Sequence, residues 1–304
     1  MTSLHATPSL DSAPESSIPV GAPDWLVNAW RQQAEVRSVD VEGAAVRYRA
    51  WGLADADKPG LILVHGFRAH ARWWDHIAPF FTDRFRVVAP DLSGMGDSDW
   101  RPGYSRRQMG RELLAVIDDA GLDKAHLVTH SFGSVVGLHC AAMNPDRFAR
   151  VVVIDAFVFR PEDEPNIPDP SQKYYPAREA ALARFRLLPE GKCPDPFIKS
   201  YIGENSIKLT DKGWTWKFDA VAPESLFPEQ IRHEIRGMSV PADFIYGGLS
   251  EVVGPDEARS FVENVANCGV PVMIPNSDHH IMIEQPLALV AALNGLFANP
   301  RQNT

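Results

Sequence analysis

Short apolar runs alternate along the chain with stretches whose apolar residues recur every three or four positions. The runs are Leu61–His65, Arg86–Pro90, His126–His130, Arg150–Asp155, Ala242–Tyr246 and Val270–Pro275, and two further strand candidates, 36–42 and 45–51, precede them. Continuous apolar runs of this length suit strands buried on both faces of a parallel sheet. The helical stretches have readable ends. Ser105 with Gln108 makes a capping box, Leu113, Leu114 and Ile117 give the apolar stripe, and Gly121 stops the helix. A second helix is expected from about Phe132 to Met143, before Pro145, and a last one over about 286–298 behind Pro286. The alternation predicts βαβ units and a largely parallel sheet.

One segment breaks the rhythm. Residues from about 157 to 240 are proline-rich, show no clear buried strand, and carry acids and bases in nearly equal number. They read as a helical insertion between two strands. Residues 1–24 hold four prolines, the acids Asp11, Glu15 and Asp24, and no Lys or Arg. A basic start and an apolar run, the marks of a secretory signal, are missing there, and no stretch approaches the roughly 20 apolar residues of a membrane span. The expected organisation is a flexible leader (1–24), a core (25–156 and 241–304) and an insertion (157–240). A cytoplasmic location with no membrane partner is the matching expectation.

Composition narrows the function classes. With 304 residues, 45% hydrophobic positions and a net charge of −9, the chain suits one core plus an insertion. It is too apolar for a disordered protein and too acidic for a general nucleic-acid scaffold. Cys140, Cys193 and Cys268 are scattered and odd in number, so neither a disulfide framework nor a C-x-x-C zinc site is expected. No phosphate loop or dinucleotide fingerprint occurs, and no cofactor is expected.

The chemistry starts at Val128-Thr129-His130-Ser131-Phe132-Gly133-Ser134, which leaves a strand and opens a helix. A serine displayed on a sharp strand-to-helix turn follows the G-x-S-x-G pattern. Thr129 replaces its first glycine, while Gly133, Ser134 and Gly137 keep the helix side small. With Leu63-Val64-His65-Gly66-Phe67, Asp91-Leu92-Ser93-Gly94-Met95-Gly96-Asp97-Ser98 and Asp278-His279-His280 ahead of Glu284-Gln285-Pro286, four motifs stand in order. Together they resemble the α/β-hydrolase superfamily, in particular cap-bearing bacterial hydrolases of small esters and ring-cleavage products. The resemblance covers about 36–298. It implies an α/β-hydrolase fold, a mostly parallel eight-stranded sheet flanked by helices with an inserted helical cap.

It also implies roles. Ser131 is the expected nucleophile and needs an imidazole base. His279, five residues before Glu284, is the implied base, ahead of its neighbour His280. The superfamily's usual acid follows the next-to-last strand, where this chain reads Tyr246-Gly247-Gly248-Leu249-Ser250-Glu251, with serine at the aspartate position. Asp155, at the end of the strand after the nucleophile helix, is therefore the favoured acid, and Glu251 the alternative. The backbone amides of Phe67 and Phe132 are the implied oxyanion donors, His65 is structural, and the Asp91–Ser98 loop is a structural turn.

Trp73 and Trp74 open the next helical pattern; one is expected in the core, and Trp74 is named for the pocket. Trp214 and Trp216 in the insertion, together with His280, are the other pocket candidates. Adjacent histidines with no accompanying ligand cluster argue against a metal. Ser131 excludes chemistry that needs a carboxylate nucleophile. The leading reading is a serine hydrolase of a small, partly apolar ester, lactone or related acyl compound. The rivals are hydrolysis of a carbon–carbon bond with the same triad, and a non-catalytic ligand-binding homologue. The expected partner is a small-molecule substrate, and a homodimer is left open.

Overall fold

The six continuous apolar runs become six neighbouring strands of one eight-stranded sheet in the computed structural model, which describes residues 19–158, 171–192, 194–220 and 231–298. The expected leader up to residue 18, the insertion's residues 159–170, 193 and 221–230, and the last six residues lie outside that range. The chain enters through α1 (Asp24–Arg31) and the pair β1 (Glu35–Val41) and β2 (Ala44–Trp51). Then come β3 (Gly60–Val64), β4 (Arg86–Pro90), α2 (Arg106–Asp119), β5 (Ala125–His130), α3 (Phe132–Met143) and β6 (Phe148–Ile154). The insertion holds β7 (Tyr174–Tyr175), α4 (Arg178–Leu182), α5 (Pro196–Asn205), β8 (Ile207–Thr210), β9 (Gly213–Trp216) and α6 (Ile231–Arg236). The chain returns through β10 (Ala242–Gly247), α7 (Pro255–Asn264), β11 (Val272–Ile274), α8 (Ile281–Glu284) and α9 (Pro286–Ala298).

Strand order is β1-β2-β4-β3-β5-β6-β10-β11. Strand β2 runs antiparallel to both neighbours, and every pair from β4 to β11 is parallel. The period of two divides β3 between the faces. Leu61 and Leu63 join Trp51, Trp74, Phe81 and Leu289 on one side. Ile62 and Val64 join Tyr48, Leu113, Val136 and Phe244 on the other. Each such buried side chain contributes about 1.5–3 kcal/mol, so the sheet's centre is where the fold is anchored.

Two sequence expectations change. Ser105 caps α2, its hydroxyl accepting from the Gln108 amide at 3.2 Å, but the Gln108 side chain donates to Glu112 and does not close a box. The buried carboxylate of Glu112 is the stronger acceptor. The insertion is not purely helical, because β7, β9 and β8 form a small antiparallel sheet. Strands of two and four residues are too short to leave a periodic signal. Thr215 is the buried residue of β9, accepting from Gln172 Nε2 at 2.6 Å and donating to the Lys173 carbonyl at 2.8 Å.

The insertion is tied to the core by polar contacts. The Asp219 amide donates to the Gly94 carbonyl at 2.7 Å, Lys217 pairs with Asp97 at 2.6 Å, and Tyr104 donates to Asp219 at 2.7 Å. The loop from Asp91 to Ser98 is held from inside. The Asp91 carboxylate, buried and pushed up to about 6 by desolvation and then by Asp97, accepts from the amides of Ala71 (2.6 Å) and Asp97 (2.9 Å).

Candidate active site

Parallel strands deliver their C-terminal ends to one rim, where β5, β6 and β10 end side by side. At the end of β5 the chain turns sharply, with Ser131 at φ 50° and ψ −124°. A non-glycine residue in the left-handed region is strained and persists only where its surroundings hold it. Here the Ser131 amide donates to the Ile154 carbonyl at 3.0 Å, and α3 begins at the next residue. The space is small: a Cβ on Gly133 would lie 2.3 Å from the His65 carbonyl oxygen. Thr129 is buried, its hydroxyl 3.0 Å from Ser134 Oγ, and a Cβ on Gly137 would strike its methyl. Gly137 thus makes the room that a glycine at position 129 would otherwise provide.

Three residues from three loops meet at this rim. Ser131 Oγ donates to His279 Nε2 at 3.0 Å, and His279 Nδ1–H donates to Asp155 Oδ1 at 2.7 Å. A carboxylate only accepts, so the contact with Asp155 leaves Nε2 as the imidazole's lone-pair nitrogen. Asp155 is fully buried at the end of β6, with φ 45°. Its Oδ2 accepts from the Gly247 amide (2.8 Å) and its Oδ1 also accepts from the Ser250 hydroxyl (2.8 Å). A buried charge needs such donors to offset its lost hydration. The His279 loop is pinned too, since its amide donates to Asp278 at 2.9 Å, the Asp278 amide to Glu284, and His130 Nε2–H to the His279 carbonyl at 3.0 Å.

Glu251, the alternative acid, lies elsewhere: its side chain is 75% exposed and pairs with Lys192 at 3.1 Å. Phe67 and Phe132 are adjacent, their rings 5.8 Å apart and edge-on. The Phe132 amide is the first of α3, one of the N–H groups for which a helix has no internal acceptor. His65 is buried and structural, donating from Nδ1 to the Gly66 carbonyl (2.8 Å) and accepting at Nε2 from the Leu92 amide (3.1 Å). Burial pushes it down to about 4, and burial likewise keeps His130 and His280 neutral.

The pocket expectation for Trp74 is corrected, because that ring is fully buried in the apolar layer under the sheet. The turn Ala71–Trp74 is 3₁₀-helical, and its three residues per turn send adjacent side chains about 120° apart. Trp73 instead reaches the site, 5.4 Å from the His280 ring and 6.4 Å from His130, which itself lies 4.7 Å from the His279 ring. Trp216 stacks on Phe218 at 6.2 Å, and Arg68 lies over both Phe218 (4.6 Å) and Phe67 (5.2 Å), so this aromatic row reaches the Phe67 loop. Trp214 sits in β9 opposite Leu209 and Tyr175. Among the described residues no group of three or more His, Cys, Asp or Glu could hold a metal ion.

Sequence reasoning missed Gly247, Ser250, His130 and Trp73. Ser250 left a signal, standing where an aspartate is expected. His130 left none beyond its place before Ser131.

The sequence model of the alpha/beta hydrolase family matches residues 61–293, which span β3 to α9 and include the three meeting residues. The chain belongs to the α/β-hydrolase family. Within it, the chain is 23% identical over 270 residues to an esterase of Mycobacterium tuberculosis, covering 84% of this chain and 87% of the relative. It is 25% identical over 322 residues to epoxide hydrolase A of the same organism, covering 84% and 95%. Among solved structures, E-2-(acetamidomethylene)succinate hydrolase superposes with a TM-score of 0.73 at 21% identity, over 88% of this chain and 100% of that one. The protein is an α/β-hydrolase-type hydrolase. No helix among the described residues is long and apolar enough to cross a membrane.

Proposed function

We propose that this α/β-hydrolase is a serine hydrolase that cleaves a small, partly apolar ester, lactone or related acyl bond through an acyl-enzyme. The observation that carries this reading is the hydrogen-bonded chain Ser131 Oγ–His279 Nε2 (3.0 Å) and His279 Nδ1–Asp155 Oδ1 (2.7 Å). Ser131 Oγ attacks the carbonyl carbon while its proton passes to His279 Nε2. Asp155 holds the imidazole by Nδ1–H and stabilises its cation. The amides of Phe67 and Phe132 receive the oxyanion. The imidazolium then protonates the departing alkoxide, leaving Ser131 acylated. Water, deprotonated by His279, attacks the acyl carbon and releases the acid with Ser131 restored.

Aromatic residues close to the rim, Phe67, Phe132 and Trp73, support an apolar acyl or alcohol part. Epoxide opening through a carboxylate nucleophile is not proposed, because Ser131 stands at that position. A cytoplasmic location belongs to the same proposal and is supported by a sequence with only three scattered cysteines.

The test is fluorophosphonate labelling of wild type and Ser131→Ala, followed by a panel of p-nitrophenyl acetate and butyrate, lactones and a vinylogous diketone. Wild type is expected to form one adduct at Ser131 and to turn over the short esters or lactones. Ser131→Ala is expected to lose labelling and all but a 10³- to 10⁴-fold residual enhancement over water, roughly what oxyanion and binding contacts alone supply. Folded wild type that forms no adduct would sink the reading. Turnover of the diketone alone would move the reaction to carbon–carbon cleavage.

A further inference from the structure

The hydroxyl of Ser250 has its bonding capacity filled. The amides of Val252 and Val253 point at its oxygen, at 3.1 and 3.2 Å, and occupy its lone pairs. Its single proton is left to Asp155 Oδ1, 2.8 Å away. That oxygen also accepts His279 Nδ1–H at 2.7 Å, while Oδ2 accepts the Gly247 amide at 2.8 Å. Gly247 and Ser250 belong to one turn, closed by the Ser250 amide donating to the Gly247 carbonyl at 3.1 Å. One turn after β10 therefore grips both oxygens of a carboxylate that β6 supplies.

We propose that Ser250 is a positioning residue: it fixes the plane of the Asp155 carboxylate and moderates the charge that carboxylate shows to His279. The proposal rests on the triad reading above. The carboxylate torsion of an aspartate is broad and two-fold, so without partners either oxygen, in a range of tilts, would face the imidazole. With Oδ2 bonded to the main chain and Oδ1 to Ser250, one orientation remains, and the imidazole is held in line with Ser131. The hydroxyl also draws negative charge from Oδ1. Removing it leaves a more basic carboxylate beside His279, which favours the imidazolium.

The experiment compares Ser250→Ala, Ser250→Thr, Ser250→Cys and Asp155→Asn with wild type. The readouts are p-nitrophenyl butyrate turnover between pH 5 and pH 9 and thermal melts of the full chain. Ser250→Ala is expected to lose about 10- to 100-fold in kcat, the worth of one hydrogen bond to a charged group. KM should hold, and the acid limb of kcat/KM should move to higher pH. Ser250→Thr, which keeps the donor, restores both. If Ser250→Ala does not fold, Ser250→Cys, a weak donor, is expected to show the same change to a smaller extent. Wild-type kcat and an unmoved acid limb in the folded variant overturn the proposal. Asp155→Asn separates the two levels: if it is inactive while the Ser250 variants are normal, only this inference fails, and if it keeps full turnover, the triad reading fails with it.

Discussion

The ends of β6 and β10 lie side by side, and each is followed by a carboxylate that the sequence offers to His279. Their surroundings differ completely. Asp155 is fully buried, accepts from Gly247, Ser250 and His279, and lies 2.7 Å from the imidazole. Glu251 is three-quarters exposed and paired with Lys192. A hydrogen bond to a charge strengthens as water is excluded, whereas an exposed ion pair contributes little. What qualifies a carboxylate to orient a histidine is therefore burial together with fixed donors. Nearness in the chain to a family's usual position does not supply either.

The largest effect that would sharpen this contrast is Asp155→Asn. An amide of the same shape favours the wrong imidazole tautomer, and kcat is expected to fall by about 10⁴-fold. Steady-state kinetics beside wild type checks it, and a loss below about tenfold would erase the distinction between the two ends.

Buried and exposed groups should also differ in their response to acid. His65, His70, His76, His126, His130 and His280 are all held below the ordinary imidazole range by burial, His65 and His126 to about 4. The unfolded chain binds protons at these sites from about pH 6.5 downward, and the folded chain does not. Stability is thus fully present above that pH and is lost as pH falls toward 4. Asp91, pushed up to about 6, works in the opposite sense, but it is one group against six. Thermal melts across pH 7 to 4 should show a falling Tm, and a flat profile would contradict the neutral buried imidazoles.

The smallest effect belongs to Glu251→Gln. Its ion pair with Lys192 is exposed, so Tm, kcat and the pH profile are expected to match wild type. An orders-of-magnitude loss on that substitution would break the comparison outright.

Most of the sheet was legible because its strands are short, mostly apolar runs, as β3 and residues 151–154 at the end of β6 illustrate. Ser131 stands out by its strand-to-helix turn, whereas His279 and Asp155 are singled out only through the resemblance to the superfamily's motifs. The rest depends on contacts across the chain. Gly247 and Ser250 reach Asp155 over more than 90 positions. Nothing local distinguishes Trp73 from Trp74, since a 3₁₀ turn and not composition decides which of the two meets the histidines. The insertion's small sheet escaped notice because two- to four-residue strands have no period to read.

The pairing of β6 with β10 has one more consequence, for engineering. The two strands run parallel with Ile154 beside Ile245, so the chain leaves the sheet at Asp155 on one rim and re-enters at Ala242, beside Val151, toward the other. The excursion between them has to return along the length of the strand, and its last part does so through α6, whose Ile235 is buried in the core beside α3. Closing such a loop costs only about 0.6 kcal/mol more for each doubling of its length. A graft of different length between Ala156 and Pro241 therefore adds little loop-closure cost, but it has to keep α6 as the crossover and the core contacts of Leu187, Ile198 and Ile202 if Ser131, His279 and Asp155 are to keep their scaffold.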